Sequence, residues 1–338
     1  MKKIKKIKIL PFMLVIAALL VPERAFAQRK ITVKLASPVP ENTFWGAALN
    51  RMSNEWDKIS GGTVELKIYH GGVAGSEDDV LRKLRMNQLQ GAVLTSFGLN
   101  LITPEIITLS APFFIRDDGE LAAVLTSLKP ELEAKINEKG FYTLTWAKSG
   151  WVKLFSKTPV FVPADLKRQT VGTSPEAPEL AQVFKSMGYR LVPVNNADVL
   201  VSLNSGMVDA VYQSPVFVGG MQLFGITKHM ASINIAPFMG GIVLNQQAWQ
   251  RIPDAYKGPL TAASQRIAAD IDRSISRLET DAVRTMASYG LTVNQISEEQ
   301  AALWYSDMEK AMPSLLRTTF DQNIYRKIEA ILKAYRSK

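Results

Sequence analysis

The sequence predicts an α/β protein built as two lobes. Three observations lead there. Strand-like runs alternate with helical ones along most of the chain, the mark of βαβ units on a largely parallel sheet. About 310 residues remain once an N-terminal export segment is set aside, too many for one ordinary core. An amphipathic helical run from Asp254 to about Ser288 far exceeds ordinary helix length, with Gly258-Pro259 bending its start.

The elements follow in order. "ITVKLAS" (Ile31–Ser37) is a strand, followed by a helix around Asn42–Ile59. "TVELKIY" (Thr63–Tyr69) is a second strand between the turn pairs Gly61-Gly62 and Gly71-Gly72. A helix starts near Ser76, and the strand "GAVLTS" (Gly91–Ser96) comes next. After a helix across Asp118–Lys139 stand two strands, "FYTLTWA" (Phe141–Ala147) and "WVKLFS" (Trp151–Ser156). Asp165–Val194 carries a strand, a helix and a strand, with Gly172 inside the first strand. Glycine there marks a bulge or a close approach to the backbone. "MVDAVYQ" (Met207–Gln213) and "APFMGGIVLN" (Ala236–Asn245) are further strands, the latter returning towards the first lobe. A short strand "LTVNQ" (Leu291–Gln295) follows the long helix, and two helices close the chain.

Residues 1–27 have a different composition. Five lysines precede an apolar run, Ile9–Val21, and "AFA" (Ala25–Ala27) supplies small residues for cleavage. That is a secretory signal peptide, predicted to leave Gln28 first, and the apolar run is too short to serve comfortably as an anchor. Its removal lowers the formal charge from +9 to about +4. No basic tract points to nucleic acid. The absence of cysteine excludes disulfides, thiolate metal sites, cysteine nucleophiles and a lipid-modified cysteine. An exported, unanchored, disulfide-free protein fits the periplasm.

Motifs for chemistry are scarce. The two histidines, His70 and His229, lack metal-ligand spacing, and no G-x-S-x-G elbow or phosphate loop is present. The acids of "GSEDD" (Gly75–Asp79) suit the first turn of a helix capped by Ser76 better than a metal. No enzyme, cofactor or metal is expected. Aromatic residues at strand ends and in loops are more suggestive, since a cleft lined by several would be an apolar binding site.

Several segments, taken in order, resemble the periplasmic solute-binding subunits of TRAP transporters, the DctP-like family. They are "ISGGTVELKIYHGGVAGSEDDVLRKLRMNQLQGA", "PEIITLSAPFFIRD", "FVPADLKRQTVGTS" and "LNSGMVDAVYQSP", with the long helix after "RIPDAYK". The likeness runs from about Ile31 to Thr292. It implies a two-lobed periplasmic binding protein fold with strands crossing at a hinge and a long helix spanning both lobes. On that reading residues 28–150 with about 239–282 form the first lobe, and 151–238 with about 283–338 the second. It also implies capture of a solute in the cleft, closure, and delivery to membrane permease subunits.

The departures from the family bear on the ligand. The resemblance implies a carboxylate-binding arginine where this chain has Gly172, and a second where it has Val152. Tyr212 stands for an acidic residue, Gln213 for an amide and Gln90 for an aspartate. Without a bidentate partner, a desolvated carboxylate costs several kcal/mol, an order-of-magnitude figure. A small, apolar or weakly charged ligand is therefore expected, coming close to Gly172. Arg168 lies four residues back along the chain, roughly 13 Å if extended. Expected walls are Phe44, Phe97, Phe114, Trp151 and Phe217; expected polar contacts are Ser37, Thr95, Thr173, Asn196 and Gln213. A branch of this family works with a periplasmic tetratricopeptide-repeat protein. The alternative function is a carrier of hydrophobic or lipid-like cargo acting with such a soluble partner.

Overall fold

The computed structural model describes residues 30–175, 178–195 and 198–337. The first lobe begins with β1 (Ile31–Ala36), α1 (Phe44–Ser60), β2 (Val64–Tyr69), α2 (Glu77–Arg85) and β3 (Gly91–Thr95). The βαβ alternation delivers parallel pairing of β1 with both β2 and β3. Local signals set the helix ends. Thr43 caps α1, Gly61 closes it in the left-handed region, and Ser76 opens α2 in a capping box with Asp79. The chain continues through a short α3 (Ser96–Asn100) to α4 (Asp118–Glu138).

Next comes β4 (Phe141–Ser156), one strand of 16 residues where the sequence suggests two. It pairs antiparallel with β9 (Ala236–Asn245). Register shifts lie between Thr143 and Thr145 and between Lys148 and Trp151. The second shift contains Gly150, at φ +106°. Such irregularities bend a strand and change which face a residue presents. Beyond the bend β4 joins the second lobe, built from α5 (Pro163–Lys167), β5 (Thr170–Thr173), α6 (Pro178–Ser186), β6 (Arg190–Pro193) and α7 (Val199–Asn204). β7 (Ala210–Gln213), α8 (Pro215–Gly220) and β8 (His229–Ala231) follow. The main path of the sheet runs β2-β1-β3-β9-β4-β7-β5-β6, so β4 and β9 carry it from one lobe into the other.

After β9 and a short α9 (Gln246–Gln250), α10 (Asp254–Ser288) runs 35 residues, about 52 Å at 1.5 Å per residue. Leu260, Ile267 and Ile271 pack with α1 in a first-lobe core that also holds Trp56. Met286, nearer its other end, packs with Val218 and Val211 in a second-lobe core. β10 (Thr292–Asn294) pairs with β8. α11 (Glu298–Thr318) packs on α6, whereas α12 (Gln322–Arg336) packs on α4. Ile324, Ile328 and Leu332 of α12 thus join the first-lobe core, so the chain beyond about 320 does not stay in the second lobe as expected. Each lobe's sheet is covered on both faces, the normal condition of parallel strands. No helix among the described residues is long and apolar enough to cross a membrane.

Candidate functional site

In open α/β sheets ligands bind beyond the carboxyl ends of the strands, where loops converge. In the first lobe, Ser37 follows the last residue of β1 and Thr95 ends β3. Glu77 of α2 reaches across to accept the Thr95 backbone N–H at 2.6 Å and its hydroxyl at 2.7 Å. Gly98 makes this possible, since a Cβ there would meet Glu77 Oε1 at 2.5 Å. Ser37 and Glu77 line a recess of about 20 Å³ beside these ends. Ser37 is buried, and its hydroxyl accepts the Val39 N–H at 3.1 Å.

In the second lobe an apolar cavity of about 110 Å³ lies against the opposite strand ends. Leu154, Val171, Thr173 and Tyr212 supply its sheet side. Leu180, Ala181 and Phe184 of α6 and Trp304 of α11 enclose it, with Ile233 and Ile235 from the loop before β9. Apolar cavities of about 150 Å³ stay dry and take benzene, so this one has the scale of a small ring or short alkyl chain. Thr173 is only 7% exposed, and its hydroxyl has no hydrogen-bond partner among the described residues. A buried polar atom left unpaired normally costs about 1–3 kcal/mol, so it calls for an explanation.

Phe113 closes the cavity on the first-lobe side. It sits at φ +61°, uncommon for a bulky side chain, with its N–H donated to the Ile235 carbonyl at 2.5 Å. Its ring lies between Trp304 and Tyr305, with centroids at 5.5 and 6.3 Å. Behind it a groove of about 570 Å³ runs between α11 and α12. There Arg116 stacks on Tyr305 at 3.7 Å, and Phe114 stacks on Tyr325 at 4.3 Å.

The hinge is held by charge. Trp151 donates its backbone N–H to Glu279 of α10 at 2.7 Å, and Lys148 donates its own to Asp272 at 3.0 Å. Burial pushes the carboxyls of Glu279 and Asp272 above the usual range. Gly150 is required beside them, because a Cβ there would collide with Glu279 Oε1. Two residues past Trp151, the Lys153 ammonium donates to the Ser232 carbonyl at 2.7 Å and to Asn234 Oδ1 at 2.8 Å. Burial pulls its pKa down to about 8, with Glu279 acting weakly the other way.

The predicted residues fall into several groups. Thr173 lines the cavity, while Ser37 and Thr95 stand at first-lobe strand ends. Gly172 does not approach a ligand space: a Cβ there would meet Val211, Val194 and Val208 at 3.5–3.7 Å, inside a packed core. Strand register places Gly172, Val211, Gln213 and Lys153 on one face. Val152 therefore belongs to the other face, and the two positions do not open a shared space. Trp151 is no ligand wall; it is buried, with Nε1 donated to Asp118 at 2.8 Å. Phe44 packs with Trp45 against the α1 core, and Phe217 in the core behind Gly172. Phe97 and Phe114 pack against the second-lobe core from the first lobe. Arg168 is exposed and paired with Asp165 at 2.5 Å, so it replaces no missing arginine. Asn196 and the signal segment lie outside the described residues.

Glu77, Phe113, Lys153 and Tyr212 were not singled out as contacts by sequence reasoning. For Lys153 a signal existed, a lone lysine in the apolar run "WVKLFS".

Known proteins share this architecture. The TRAP periplasmic solute-binding protein of Chromohalobacter salexigens, solved with bound D-glucuronate, superposes with a TM-score of 0.81 at 17% identity. The match covers 89% of this chain and 99% of that one. A counterpart from Sulfurospirillum deleyianum, solved with succinate, gives 0.78 at 20% identity over 90% and 99%. A solute-binding protein of Verminephrobacter eiseniae is 23% identical over 80% of this chain and 81% of its own. The sialic acid-binding periplasmic protein SiaP of Vibrio cholerae is 21% identical over 99% of this chain and all of its own. Residues 35–319 match bacterial extracellular solute-binding protein family 7, DctP. This chain belongs to that family of extracellular solute-binding proteins.

Proposed function

We propose that this TRAP solute-binding protein captures a small organic solute whose apolar part enters the second-lobe cavity. The observation carrying this reading is the carbon-lined space of about 110 Å³ at the ends of β5 and β7, where the buried Thr173 hydroxyl has no partner among the described residues. A ligand oxygen on Thr173 would satisfy that hydroxyl. Uronates and succinate, seen in the solved neighbours, would leave the cavity wall dewetted and unused. Residues 1–27 export the protein to the periplasm, where closure of the lobes presents the loaded form to permease subunits expected for this family. Closure is a population shift driven by contacts that exist only when both lobes touch the ligand.

Filling the cavity tests this. Ala181→Leu places extra carbon in it, so hexanoate that stabilises the wild-type protein should lose its effect on the variant. The ligand-free variant should unfold at an equal or higher temperature. Unchanged hexanoate binding by a folded Ala181→Leu protein would remove the cavity from the site.

A further inference from the structure

The apolar cavity and the groove between α11 and α12 share one wall. Among the described residues, only Pro112 and Phe113 border both spaces. α11 gives Trp304 to the cavity and the next residue, Tyr305, to the groove. The buried Phe113 ring stands between those two rings, 5.5 Å from one and 6.3 Å from the other. Behind it the groove is far larger, about 570 Å³ against about 110 Å³. Phe114, Met308, Met312 and Leu332 give that groove apolar wall as well, and methionines adapt to whatever shape lies against them. Room for an alkyl chain therefore continues past the ring.

Phe113 is held in place rather than free to swing. Its φ of +61° is a strained backbone for a bulky side chain. Such a conformation persists only where the surroundings over-determine it, and it recurs at ligand clamps. Here the Ile235 carbonyl fixes the backbone by accepting the Phe113 N–H, and the Ile235 side chain is itself part of the cavity wall.

We propose that Phe113 is the length stop of the binding site. It ends the cavity after a short alkyl chain and so excludes ligands whose apolar body would run on into the groove. A methylene that cannot enter must stay in water or displace the ring from a packed position, and either weakens binding. The inference rests on the cavity reading above and adds to it the residue that selects ligands by length.

Titration calorimetry of stripped mature protein with hexanoate and decanoate tests this on wild type, Phe113→Leu and Phe113→Gly. Glycine removes the ring and accepts φ +61° without strain. The quantity compared is the ratio of the two affinities within each protein, so a general loss of stability cancels. Wild type should bind hexanoate at least tenfold more tightly than decanoate. Phe113→Leu should narrow that preference, and Phe113→Gly should abolish or reverse it. Should the glycine variant fail to fold, the leucine variant decides alone. An unchanged ratio in the folded variants would overturn the length stop and leave the cavity reading intact. Wild type binding both acids equally would overturn it too. Wild type indifferent to hexanoate would discard the cavity reading, and the length stop with it.

Discussion

Gly172 shows how a single position can carry the right family register and the wrong neighbourhood. The resemblance set an arginine against it, and the missing side chain suggested space for a ligand. The backbone instead directs that side chain at three valines, close enough for a methyl group and nothing longer. Gly172→Ala should leave stability unchanged or raise it by up to about 1 kcal/mol, since alanine restricts the unfolded chain and its Cβ meets ordinary contacts. Gly172→Arg should cost several kcal/mol, an order-of-magnitude figure, by forcing a charge into the valine core. Denaturant titration of both variants checks this, and an arginine variant as stable as wild type would mean the position opens to solvent. The lysine at 153 was equally visible in the sequence. What concealed it was strand parity: the irregularity between Lys148 and Trp151 alters the count along β4, and a one-residue difference exchanges the two faces of the sheet.

Elements with strong local patterning were legible. β9 and α10 occupy the spans their sequences suggest, and Ser76 opens a helix as its acidic neighbours imply. Where local pattern was silent, tertiary contact decided. β4 is continuous through Gly150 because α10 receives the two strand N–H groups flanking the irregularity, on Asp272 and Glu279. No periodicity in α10 announces that two of its acids will face a strand. α12 likewise has an ordinary amphipathic pattern, which states that one face is buried but not against which lobe. The hinge arrangement makes a clear demand on Glu279. Glu279→Gln keeps an acceptor for the Trp151 N–H and relieves a desolvated carboxylate, so its stability should stay within about 1 kcal/mol of wild type. Glu279→Ala leaves that N–H buried and unpaired, at a cost of about 1–3 kcal/mol. Calorimetric unfolding would decide, and equal stability of the two variants would show that the bond does not hold the hinge.

At the scale of the whole molecule, chain length and strand–helix alternation were enough for two lobes, and the order of motifs was enough for the family. The ligand was not legible in the same way. Its apolar compartment is assembled from β4, β5, β6, β7, β8, α5, α6, α11 and three loops, none of which carries a binding motif by itself. The most direct test of the central claim is a homologous series, acetate through octanoate, measured by thermal unfolding of stripped Gln28–Lys338 at fixed ligand concentration. A carbon-lined cavity predicts that binding strengthens by up to about 0.8 kcal/mol for each added methylene until the space is full, then levels or reverses. A flat series, or stabilisation by succinate with none by the longer monocarboxylates, would contradict the account.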